Sequence, residues 1–85
     1  MRIIDQVGVF DVPYDTSIVV IDDGNIVAHI PGMNGSYIMA SYSSTDQAKE
    51  ALKKLMIAYQ RHENEVERAV GRLTEYFQFP PEGHL

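Results

Sequence analysis

Three arginines in the second half of the chain have a spacing that invites chemistry. Arg61, Arg68 and Arg72 follow one another by seven and four residues, which places them along one side of a helix. Arg68 and Arg72 stand at the i,i+4 distance, where like charges repel, so the pair calls for a reason. A guanidinium cluster holds phosphate or carboxylate through paired N–H donors, and Tyr59 or Phe77 would supply a ring to stack on a base. The plainer account is a solvated face laced with Glu63, Glu65, Glu67 and Glu75. Arg61 and Glu65 also form a favourable i,i+4 pair.

Other chemistry finds little footing. His29, His62 and His84 are scattered. His62-Glu63 begins like a zinc-binding helix but has no second histidine four residues on. No serine lies in a nucleophile-elbow pattern, and Asp22-Asp23 reads as a turn before it reads as a catalytic pair. The sequence therefore predicts no enzyme, no metal and no cofactor. Ser43-Ser44-Thr45 at a helix start would suit a phosphate, but helix capping explains the same residues.

These side chains belong to a helical stretch from Ser44 to Phe77. Ser44-Thr45-Asp46-Gln47 has the form of a capping box. Leu52, Met56, Tyr59, Val66, Val70, Leu73 and Phe77 then fall in a seven-residue rhythm, with Glu63 taking one seat. In the first half, Ala48, Ala51, Leu52, Leu55, Met56 and Tyr59 make a face broad enough to lie on a sheet. In the second half, Val66, Val70, Leu73 and Phe77 make a narrow seam that suits a helix partner, and so predict a homo-oligomer interface. Packing within a helical hairpin is the other reading. A continuous helix of this length would reach roughly 50 Å. The polar window Gln60–Asn64 is where it would break if it folds back.

Ahead of the helix the pattern is one of strands. Arg2-Ile3-Ile4 and Val9–Val12 flank a turn at Gln6-Val7-Gly8. Ser17–Ile21 and Asn25–Ile30 flank Asp22-Asp23-Gly24, the strongest hairpin signal present. Pro31–Gly35 is a loop by composition, and Tyr37–Tyr42 is a fifth strand. The predicted fold is α+β in one domain: an antiparallel sheet of four or five short strands over 1–43, a long C-terminal helix over 44–77 that is either continuous or broken near 60–64, and a tail over 78–85.

The chain has 85 residues and no cysteine. One modest core is what that length allows, and with disulfides excluded, oligomerisation is the remaining source of stability. Its net charge of −5 is concentrated in residues 1–43, where Arg2 stands against five aspartates. Such a surface repels duplex nucleic acid and anionic lipid. With no signal-peptide core or membrane-length apolar run, the expected location is the cytoplasm.

Three blocks carry a resemblance. Met1-Arg2-Ile3-Ile4, Gln6, Gly8 and Asp11-Val12-Pro13-Tyr14 are similar to the MRII-x-Q-x-G and DVPY opening of a family of small proteins from phages, prophages and mobile elements of Gram-positive bacteria. Met39-Ala40-x-Tyr42-Ser43, leading into Ala48, Lys49, Ala51 and Leu55, is the middle match; Tyr76-Phe77-Gln78-Phe79-Pro80 is the last. Members usually carry an acidic residue where this chain has Val7. Many are longer before the YFQFP block, which there resembles a returning strand. In this chain Phe77-Gln78-Phe79 is read as the helix end entering an extended tail, with a strand as the alternative.

The resemblance implies a non-catalytic accessory protein made inside a bacterial host cell. Accessory phage proteins of this size and build include oligomeric sponges for nucleotide immune signals. On that analogy the expected function is sequestration of a small anionic ligand such as a cyclic nucleotide, held by Arg61, Arg68 and Arg72 with Tyr59 or Phe77 stacking. The alternatives are inhibition of a host protein through an acidic surface and a purely structural oligomer.

Overall fold

The computed structural model describes residues 1–68 and 76–85, with side chains described outside 65–75. In chain order the elements are β1 (Arg2–Ile4), β2 (Asp11–Pro13), β3 (Ile18–Asp22), β4 (Asn25–His29), β5 (Tyr37–Ser41), α1 (Thr45–Arg68), β6 (Tyr76–Gln78) and a 3-10 turn, Glu82–His84. The strands form two three-stranded sheets, ordered β2-β1-β6 and β3-β4-β5.

The fold is α+β as the sequence predicts, but its plan differs in three ways. Among the described residues there are six strands in two sheets, where one sheet of four or five was expected. One sheet is mixed: β1 pairs antiparallel with β2 and parallel with β6, with Ile3 opposite both Val12 and Phe77. The helix is central, because Tyr76–Gln78 is a strand and not the end of a helix over 44–77. The reason lies in a period of two at the end of the chain. Tyr76 and Gln78 are exposed, Phe77 is half-buried and Phe79 is 1% exposed. That alternation suits a pleated strand, and the seven-residue rhythm had absorbed Phe77 into the helix.

Local signals explain the second sheet. Asp23 and Gly24 both have positive φ, at 50° and 86°, so the β3–β4 turn is of the primed type whose twist matches the strands. A bulge in β5 opposite Ile26 and Val27 leaves Met39 as the extra residue. Met39 and Ala40 therefore both face inward, and both are buried. The Met39 carbonyl accepts the Gln6 amide N–H at 2.7 Å, which ties the edge of the second sheet to the chain just after β1.

α1 runs unbroken through the polar window Gln60–Asn64, a length of about 36 Å. It packs across β3 and β4. Ala48, Ala51 and Leu55 are fully buried against Ile26 and Ala28 in one core that also takes in Ile3, Val12, Met39, Tyr42 and Phe79. Small residues on both surfaces let helix and sheet approach closely. Met56, expected on this face, is 59% exposed, because the buried stripe follows 48, 51, 55 and leaves 56 at its margin.

Candidate functional site

The most chemically distinctive place in the molecule is where α1 meets the turn after β2. Tyr14 follows Pro13, and its amide N–H donates to the Met1 carbonyl at 3.0 Å. The Ser17 amide and hydroxyl close the turn onto the carbonyls of Tyr14 and Pro13 respectively. This frame presents the Tyr14 ring to Tyr59 on α1. The two rings stack at 4.1 Å between centroids and 26° between planes. His62, one turn further on, continues the stack at 6.3 Å from Tyr59.

Beneath the rings lies a cleft of about 400 Å³, with Val19, Leu52, Leu55 and Met56 as its apolar wall and Tyr14, Asp15, Ser17 and Tyr59 around them. The Tyr59 hydroxyl is hydrogen-bonded to the carboxylates of Glu63, one turn along α1, and Asp15, and these hold its pKa well above the ordinary phenol value. A phenol has one proton to donate, so two carboxylates share a single donor. Asp15 also stands 4.0 Å from the Met1 amine. Aromatic faces, an apolar floor and surplus acceptors suit a cation carried on an aliphatic stem.

At the start of α1 the structure supplies its own anion. Ser44 Oγ caps the helix by accepting the Gln47 amide N–H at 3.2 Å. The reciprocal half of the capping box is replaced: the Gln47 side-chain carbonyl accepts the Ser43 and Ser44 hydroxyls. Glu82 from the 3-10 turn accepts the Ser43 amide at 2.7 Å and competes with the Gln47 carbonyl for the single Ser43 hydroxyl proton. These bonds lower its pKa. The seat that a phosphate would take is thus held by a carboxylate of the same chain.

Of the residues expected to bind an anion, Tyr59, Phe77 and Arg61 have described side chains, and each has its own surroundings. Tyr59 is engaged with Tyr14, Asp15, Glu63 and His62. Phe77, on β6, packs against the core and meets Phe79 edge-on at 5.3 Å. Arg61 is exposed on α1. Arg68 is the last residue of α1 as described and Val66 lies within it, but their side chains fall outside the described residues. Arg72, Val70 and Leu73 lie wholly outside them, and so does most of the predicted oligomer seam.

Sequence reading missed Tyr14, Asp15 and His62 as neighbours of Tyr59. The only signal available was aromatic composition, since the contact joins a turn to a helix far along the chain. Among the described residues, no group of three His, Cys, Asp or Glu side chains could hold a metal, and no helix is long and apolar enough to cross a membrane.

No family model, no curated protein and no solved structure matches this chain.

Proposed function

We propose that the protein is a non-catalytic accessory module that binds a basic, amphipathic segment of a partner protein at the Tyr14–Tyr59 cleft. The observation that carries this reading is the Tyr59 hydroxyl held between Asp15 and Glu63 above an apolar wall. A lysine or arginine lying over the rings would meet both carboxylates, while its stem and an apolar neighbour fill the cleft. The acidic balance of residues 1–43 would draw a basic partner from a distance. Inhibition of a host protein, the function that suits the phage-family resemblance, needs a surface of this kind. Capture of a small anion is opposed at Tyr59 by the same two carboxylates.

Titrating the protein with a fluorescent peptide that alternates lysine and leucine tests the reading. Saturable binding that weakens as salt rises is expected. It should fall about tenfold or more in Asp15→Asn/Glu63→Gln, which keeps the shape of the site and removes its charge. Binding of a cyclic dinucleotide in place of the peptide would overturn the reading and restore anion sequestration.

A further inference from the structure

The face of β3-β4-β5 turned away from α1 has an apolar centre that no described residue covers. Along β3 it presents Ile18, Val20 and Asp22; along β4, Asn25, Val27 and His29; on β5, Ile38. Ile18, Val20 and Ile38 are 57%, 40% and 57% exposed, while Val27 is shielded between Val20 and Ile38. A shallow depression of about 530 Å³ crosses this face. A polar solvent face would be the ordinary outcome for a sheet covered on one side. Three exposed branched aliphatic side chains side by side mark an interaction surface instead.

The charges on the face show which partner it fits. β3 and β4 are antiparallel, with Ile18 opposite His29, Val20 opposite Val27 and Asp22 opposite Asn25. Asp22 therefore stands at the turn end, His29 at the other end, and the apolar residues lie between. Neither side chain has an ion-pair partner among the described residues. Consider two copies stacked face to face about a two-fold axis that crosses the strands near Val20. The operation reverses strand direction, so Asp22 of each copy is brought to the His29 end of the other, one strand across from that imidazole, and the aliphatic residues meet in the middle. The surface is complementary to itself, as an isologous interface requires.

We propose that this outer sheet face is a homodimer interface in which Val20, Val27 and Ile38 form the apolar centre and Asp22 pairs with His29 of the second copy. The surface is separate from the Tyr14–Tyr59 cleft and does not depend on the function proposed for it. It shares no residue with the seam Val66, Val70, Leu73 and Phe77 predicted from the sequence.

Sedimentation equilibrium of the full chain, with circular dichroism to confirm folding, provides the test. The wild type should dimerise at micromolar concentrations. Val20→Lys should leave a folded monomer. Asp22→Lys should raise the dissociation constant about tenfold, and Asp22→Lys/His29→Glu should return it to near the wild-type value. A wild type that stays monomeric at the highest concentrations overturns the proposal. So does a dimer that ignores both Val20→Lys and the charge exchange, since it would form through another surface.

Discussion

The Tyr42 hydroxyl donates to the Pro80 carbonyl at 2.7 Å, joining the residue just after β5 to the second residue after β6. The Gln6 amide donates to the same oxygen at 3.2 Å, and its own carbonyl accepts the Ser41 amide N–H at 3.1 Å. Gln6, Tyr42 and Pro80 come from three separate stretches of sequence, Met1–Tyr14, Met39–Leu55 and Tyr76–Pro80. In the folded chain those stretches meet at one part-buried junction between the two sheets. Their chemistry there is architectural: the Gln6 and Tyr42 side chains satisfy the backbone carbonyl of Pro80, and Gln6 also satisfies the Ser41 amide.

Tyr42→Phe keeps the ring and removes the donor. It should cost about 1 kcal/mol, since Pro80 retains Gln6, as measured by urea unfolding. The substitution should also change the alkaline limb. Burial pushes the Tyr42 phenol up to about 12, above the ordinary value near 10. The folded state therefore holds a proton that the unfolded state gives up. The stability from this group is complete below about pH 10 and is lost as pH rises toward 12. Tyr42→Phe should flatten the stability profile over that window, and an unchanged slope would assign the alkaline loss to other groups.

Asp5 is 4% exposed, and its Oδ1 accepts the amides of Val9 and Phe10 at 2.7 and 3.1 Å. Those bonds shape the loop between β1 and β2. Asp5→Ala should destabilise the fold by about 2–3 kcal/mol, because it leaves two amides seeking partners. Asp5→Asn keeps an acceptor oxygen in place and should cost less than half as much. Equal losses for the two variants would mean that the charge matters more than the bonds.

Gly24 should not tolerate alanine. Its φ is +86°, and an added Cβ would lie 2.7 Å from the Tyr42 carbonyl oxygen. That carbonyl belongs to the backbone, which is held to Gly24 by the Tyr42 N–H donating to the Gly24 carbonyl at 2.9 Å. The left-handed conformation alone costs a non-glycine residue about 1–2 kcal/mol, and the clash adds to it. Thermal unfolding of Gly24→Ala should show a clear drop, whereas Gly32→Ala, with the same φ class and open space around it, should lose only the conformational part.

What was readable in the chain was local. Asp23-Gly24 announces its hairpin because the turn needs positive φ at both positions. Ser44 and Gln47 announce the helix start because a hydroxyl three residues ahead of an amide can cap it. The split into two sheets was not readable, because it depends on pairings between distant segments: β6 beside β1, and Gln6 bonded to Pro80 across 74 residues. The end of the chain held a legible clue in the alternation of Tyr76, Phe77, Gln78 and Phe79. Two rhythms competed for Phe77, and burial of Phe79 decided for the strand. Of the Tyr14–Tyr59 site only the Tyr59 ring was singled out, and not its neighbours, since their geometry exists only once α1 lies across the sheet.

Tyr59 offers a direct reading of its own surroundings. Glu63 and Asp15 hydrogen-bond its hydroxyl and hold the proton on, so phenolate formation is displaced well above the ordinary range. Asp15→Asn/Glu63→Gln removes both negative charges and should bring the Tyr59 titration back down toward its usual value, followed through its ring carbon resonance by nuclear magnetic resonance. A cation seated between the carboxylates would act in the same direction, because it offsets the charges that oppose the phenolate. Adding the lysine–leucine peptide to the wild type should therefore lower the Tyr59 pKa, and in the double variant it should do nothing. A titration that moves with the substitutions but not with the peptide would keep the electrostatic account of Tyr59 and place the peptide elsewhere on the surface.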